Sequence, residues 1–190
     1  MTKKNTKQNK TLLQEERSNV FKDKKRRIFY IDPLHDKAYR LNPGDEGFAY
    51  IYDSKSLFAM LPIALGFSFL NLSVFWVTII GIVVYLAIQI YYMIKLKGLT
   101  EVQTIPEDVL TRTHDVSVLK SRRTDLMLKV TMAFLVIIIV ITSLIENKTD
   151  LSVINMDSAG IYLSVVFTTY VLFELLRIYF KNAAKLRAVK

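Results

Sequence analysis

Residues 160–180 read GIYLSVVFTTYVLFELLRIYF, a stretch whose only charged members are Glu174 and Arg177. A helix needs about 20 apolar residues to cross a bilayer, and this stretch supplies them. A second run, residues 57–94, holds no charged residue at all. As one helix it would extend roughly 57 Å, nearly twice a hydrocarbon core of about 30 Å. It is therefore expected to fold back at its most polar point, Asn71-Leu72-Ser73, into spans 57–70 and 74–94. The first of these is short and contains Pro62 and Gly66, so a kink is expected there. A third span, 127–145, is interrupted only by Lys129 near one end.

These four stretches define the expected fold class: an all-α integral membrane protein with four transmembrane helices in two hairpins. Of its 190 residues, 52% are hydrophobic, gathered into blocks between strongly charged segments. That distribution suits a membrane domain with polar appendages better than a soluble core. The appendages are a basic, disordered tail over 1–27, a small β-element over 28–56, a loop over 95–126 and a basic tail over 181–190. There is no cysteine, which excludes disulfides, thiolate metal sites and S-acyl anchors.

Charge then orients the spans. The tail before Leu57 carries thirteen Lys and Arg, and the 95–126 loop carries six. Residues 71–73 carry none, and 146–159 carry only Lys148. The positive-inside rule puts both termini and the central loop in the cytoplasm of a multi-pass cell-membrane protein.

The tail ends in a cluster of Lys22, Lys24, Lys25, Arg26 and Arg27. Such clusters attract anionic headgroups by roughly 1 kcal/mol per basic residue near the surface. No nucleic-acid recognition module accompanies it, so the lipid bilayer is the expected partner and nucleic acid is not. In 28–53, apolar groups Ile28–Ile31, Ala38–Leu41 and Phe48–Tyr52 alternate with Pro- and Gly-containing turns. Two or three short strands are expected. His35 with Asp32 and Asp36 is too small a set to predict a metal site. In the central loop, Thr104-Ile105-Pro106-Glu107 fits a capping box opening a short helix over 105–113. An amphipathic piece over 116–123 follows and leads into the third span, with His114 and Asp115 as loop residues before it.

Two spans share a pattern: Tyr85 precedes Gln89 by one helical turn, as Tyr170 precedes Glu174. Both spans are expected to run in the same direction, which fits a duplicated hairpin. Glu174, Arg177, Gln89, Tyr85 and Tyr170 are the candidate intramembrane polar site. A charge at the centre of a span costs about 2.5–3.5 kcal/mol, so Glu174 must pair or face protein. Arg177, three residues on, is the expected partner. Gly160, Ser164 and Thr168 form a small-residue stripe suited to close helix packing.

No phosphate-binding Gly loop, His-Glu-x-x-His or Gly-x-Ser-x-Gly occurs, and neither catalytic residues nor a cofactor or metal is expected. The expectation is a non-catalytic membrane protein that binds another membrane protein or peptide. An accessory subunit, or an immunity protein against a membrane-active toxin, would have this form. The alternative is a self-associating transporter or channel subunit that uses the intramembrane polar residues.

Overall fold

The structure, a computed structural model, describes residues 18–70, 72–146 and 155–189. The first seventeen residues of the expected tail, Asn71 and most of the 146–159 loop lie outside that set. The chain is mostly helical, with a small antiparallel sheet near its N-terminal end. Its elements are β1 (Val20–Lys22), β2 (Ile28–Ile31), β3 (Ala38–Leu41), α1 (Gly47–Asp53), α2 (Lys55–Leu70) and α3 (Val74–Lys97). These are followed by β4 (Thr100–Val102), α4 (Glu107–Thr113), α5 (Val116–Glu146) and α6 (Met156–Ala188). They form two compact units, Met1–Asp53 with Tyr91–Leu126 and Ile178–Lys190, and Ser54–Ile90 with Met127–Arg177.

In the first unit the strands pair in the order β1-β2-β3-β4, all antiparallel. Successive side chains on a strand point to opposite faces, and both faces here are covered. Val20, Ile28, Tyr30 and Leu41 pack with Phe48, Ala49 and Tyr52 of α1 and with Tyr92. Phe21, Phe29, Ile31 and Ala38 pack with Val109 of α4.

The sheet corrects the sequence reading at three points. Val20–Lys22, assigned to a disordered tail, is strand β1, because Val20 and Phe21 bury on opposite faces despite their polar neighbours. The fourth strand comes from the central loop, Thr100–Val102. Phe48–Tyr52 is helical, with Phe48, Ala49 and Tyr52 buried. A short apolar run fits both periods, and here the turn-to-turn pairing of Phe48 with Tyr52 wins.

Among the described residues, three helices are long and apolar enough to cross a membrane: α3, the Val116–Thr142 part of α5, and the Ser158–Ala188 part of α6. The fourth apolar helix, α2, has 16 residues with Pro62 inside it, about 24 Å at the standard rise. It is shorter than the hydrocarbon core. The amphipathic piece at 116–123 leads into the third apolar stretch as part of one helix, since α5 runs unbroken through it.

Helix starts also differ from expectation. No side-chain cap opens α4, which begins at Glu107 behind Pro106, so the Thr104 capping box does not form. Asp115 instead caps α5, accepting from the Ser117 backbone N–H at 2.7 Å. At α6 the Asn155 side chain accepts from the Ser158 N–H at 2.8 Å. The Ser158 hydroxyl in turn accepts from the Asn155 N–H at 2.9 Å. This reciprocal pair is a capping box, and it starts the helix four residues before Gly160.

In the second unit, buried residues on α6 recur at Ile161, Ser164, Thr168, Val171 and Leu175, and on α5 at Lys129, Ala133, Val136 and Val140. This three-four spacing makes a narrow seam on each helix. Glycine sets the closest approaches. A methyl group at Gly160 would lie 2.5 Å from the Phe75 backbone nitrogen, and one at Gly81 would lie 2.5 Å from the Ala59 carbonyl oxygen. Gly160, the first member of the small-residue stripe, thus packs against α3.

Candidate functional site

Within the second unit, α2, α3 and α6 bring their polar side chains to one place. Lys55 is the first residue of α2, an unfavourable position for a cation because the helix N-terminus is itself partly positive. A carboxylate opposite relieves that. Lys55 Nζ lies 2.7 Å from Glu174 Oε1, with the two side chains only 9% and 14% exposed. The same ammonium donates to Gln89 Oε1 at 2.7 Å and sits 4.8 Å above the Tyr85 ring, a cation–π distance. The Tyr85 hydroxyl donates to the second Glu174 oxygen, Oε2. Tyr85 is buried, and its ring meets Tyr170 and Phe167 edge-on at 6.1 and 5.6 Å between centroids.

Both oxygens of the carboxylate are therefore engaged by protein groups from other helices, as a charge in a low-dielectric setting requires. Tyr85 meets Tyr170, and Gln89 and Glu174 share Lys55, so the matching positions of α3 and α6 lie side by side. Phe75 against Gly160, at the other end of both helices, shows that the two run parallel.

Four of the five sequence-derived candidates, Glu174, Gln89, Tyr85 and Tyr170, belong to this cluster. Arg177 does not. It is exposed, and among the described residues no hydrogen bond or ion pair joins it to Glu174. Sequence reasoning missed Lys55, although a signal existed. It is the only basic residue between Arg40 and Lys95, standing directly before an apolar run.

No protein-family model, curated protein or solved structure matches this chain.

The second candidate region, in the first unit, is the β1–β2 hairpin. Its tip presents Lys24, Lys25 and Arg26 to solvent, with Arg26 in the left-handed region at a φ of 61°. Asp23 closes the turn by accepting from the Arg27 backbone N–H and from Arg27 Nε, both at 2.7 Å. Burial would raise the Asp23 carboxyl, but these bonds and the Arg27 charge outweigh it and hold the group below the ordinary carboxylate range. Arg27 is thus committed inside the hairpin, and its guanidinium also lies over Phe29. Beside the tip, an open cleft of about 520 Å³ is lined by Lys22, Asp23, Lys24, Asp108, Thr111 and Arg112. Asp108 accepts from the Lys24 backbone N–H at 2.9 Å, and Arg112 donates to the Lys22 carbonyl. Two carboxylates face three cations there, so the exposed tip carries more positive charge than the cleft.

The turn between β2 and β3 holds the remaining candidates. His35 Nδ1 is 2.7 Å from Asp32 Oδ2, and the other Asp32 oxygen accepts from the Leu34 N–H at 2.8 Å. Asp36 faces away from that pair, to Lys181 at 2.7 Å and Lys185 at 2.9 Å on α6. Burial would raise the Asp36 carboxyl, but the two lysines outweigh it and hold the group low. Among the described residues no group of three or more His, Cys, Asp or Glu is placed to hold a metal ion.

Proposed function

We propose that this chain is a four-span membrane protein with cytoplasmic termini and central loop. It binds another membrane protein or peptide, as an accessory subunit or as an immunity protein against a membrane-active toxin. The observation that carries the reading is the closure of the intramembrane carboxylate. Glu174 is held by Lys55 and Tyr85 from neighbouring helices, so its charge is spent on holding the bundle together. A residue that binds and releases a transported ion needs an unfilled coordination position, and this arrangement offers Glu174 little. The exposed surface of the spans is mostly apolar, with Tyr170 and Arg177 among its polar members, and the first unit adds a folded appendage with a basic hairpin tip. Lys24, Lys25 and Arg26 on that tip suit contact with anionic lipid, which would hold the appendage at the cytoplasmic face.

A second reading, an oligomeric transporter or channel subunit, draws on a different observation. The hydroxyls of Ser56, Thr78, Ser164 and Thr168 are buried without a hydrogen-bond partner among the described residues, in the same unit as Glu174. Buried polar groups are normally satisfied, and water or an ion passing between helices would satisfy them.

Purification from native membranes in mild detergent, followed by mass spectrometry, separates the two readings. A single different protein at constant stoichiometry is expected. A homo-oligomer alone, with ion flux after reconstitution, would overturn the partner reading in favour of the second.

A further inference from the structure

The outward side of α6 presents Tyr162, Val166, Tyr170, Phe173 and Arg177 at spacings of four, four, three and four, one continuous stripe. Phe173 at 71% and Val166 at 67% are among the most exposed apolar residues of the chain. Lipid covers apolar side chains without difficulty, and alone these would carry nothing. The stripe also contains two polar groups with no partner among the described residues. Among the described residues, neither the Tyr170 hydroxyl nor the Arg177 guanidinium has a hydrogen bond or ion pair, and Tyr170 is 59% exposed. Glu174, the carboxylate nearest Arg177 in sequence, is already occupied by Lys55.

We propose that this stripe seats a transmembrane helix of a different protein, one carrying an Asp or Glu at the depth of Arg177. The inference rests on the partner reading above and specifies its surface and chemistry. Depth distinguishes the possible occupants. Tyr170 is midway along residues 160–180, and Arg177 is about 10 Å nearer the C-terminal end of the helix. A lipid phosphate can reach Arg177, whose long side chain snorkels. No headgroup reaches the middle of a hydrocarbon core about 30 Å thick, and with residues 160–180 taken as the span the Tyr170 hydroxyl falls there. A helix laid along the stripe serves both, with a carboxylate for Arg177 and a hydrogen-bonding side chain for Tyr170. A second copy is the wrong partner, since a two-fold parallel pairing through this face would set Arg177 against Arg177.

The test is a photoreactive benzophenone amino acid replacing Phe173 in the full chain, irradiated in native membranes, with the adduct digested and sequenced. Ile138 of α5, 57% exposed, is the comparison site. The expected result at Phe173 is an adduct with an apolar segment of another protein that contains Asp or Glu. Arg177→Gln should reduce its yield about tenfold, and Arg177→Lys much less, as loss of a charged interhelical contact implies. Tyr170→Phe should also reduce the yield, and it covers the case in which Arg177→Gln lowers abundance. Adducts with lipid only, with a second copy, or with a protein indifferent to both substitutions would overturn the proposal. A protein adduct at Ile138 with none at Phe173 overturns this face and leaves the partner reading standing. Lipid adducts at both sites, with no co-purifying protein, remove both.

Discussion

At the scale of single residues, the fate of Glu174 turns on a cation from another helix. Three residues along a helix is about 300° of rotation. Glu174 and Arg177 therefore sit on neighbouring faces, one turned toward α2 and α3 and the other outward. Spacing permitted their pairing, but Lys55 brings an ammonium to 2.7 Å from the inside of the bundle. Removing one partner of a buried pair leaves an uncompensated charge, at a cost of several kcal/mol. Lys55→Met should thus lower stability by about 3 kcal/mol, because the Glu174 carboxylate loses its counter-charge. Glu174→Gln should also destabilise, and the double variant should be more stable than Lys55→Met alone, the mark of direct coupling. Arg177→Leu should leave stability near that of the unaltered protein. Thermal unfolding in detergent measures all four, and additive losses from Lys55→Met and Glu174→Gln would show that the two side chains are not directly coupled.

At the scale of elements, the helices meet where glycine lets them. The Gly160 position is 2.5 Å from backbone at Phe75 and Gly81 is 2.5 Å from backbone at Ala59, so no side-chain rotation can make room. Gly160→Ala and Gly81→Ala should each cost about 1–3 kcal/mol as overpacked sites do. Gly47→Ala, with nothing within 4 Å, should be close to neutral. Equal unfolding temperatures for all three would contradict the close packing of α6 on α3 and of α3 on α2. The apolar blocks and the Gly160 stripe were legible in the sequence because length, charge and helical spacing are local properties. The sheet was only half legible. Ile28–Ile31 and Ala38–Leu41 carry strand composition, but Val20–Lys22 and Thr100–Val102 are strands only because β2 and β3 provide edges for them. The cluster around Glu174 was legible in four residues and not in Lys55, whose role depends on a contact far apart in sequence.

At the scale of the whole molecule, topology turns on which ends of the helices share a side of the membrane. Three helices have the length to cross, and α2 is about 24 Å long by its 16 residues. If α2 crosses, the N-terminal segment and the 95–126 loop lie on one side; if it only dips, they lie on opposite sides. Lys95 and Lys97 stand in the last turn of α3, and Lys185 and Arg187 in the last turn of α6. With the basic hairpin Lys22–Arg27, these would be divided between the two faces by three crossings and gathered on one face by four. A second physical argument agrees. The chain before α2 and the chain after α3 contribute to the same sheet, with Ala38 of β3 opposite Val102 of β4. Those strands cannot pair across a bilayer. Because native cysteine is absent, single cysteines report cleanly. Cysteine at the exposed Met156 should react with an impermeant thiol reagent in intact cells. Cysteine at the exposed Lys120 should react only after the membrane is opened. Labelling of Lys120→Cys in intact cells with Met156→Cys protected would invert the orientation. Labelling of both in intact cells would defeat the four-crossing arrangement itself, since those positions flank the single crossing made by α5.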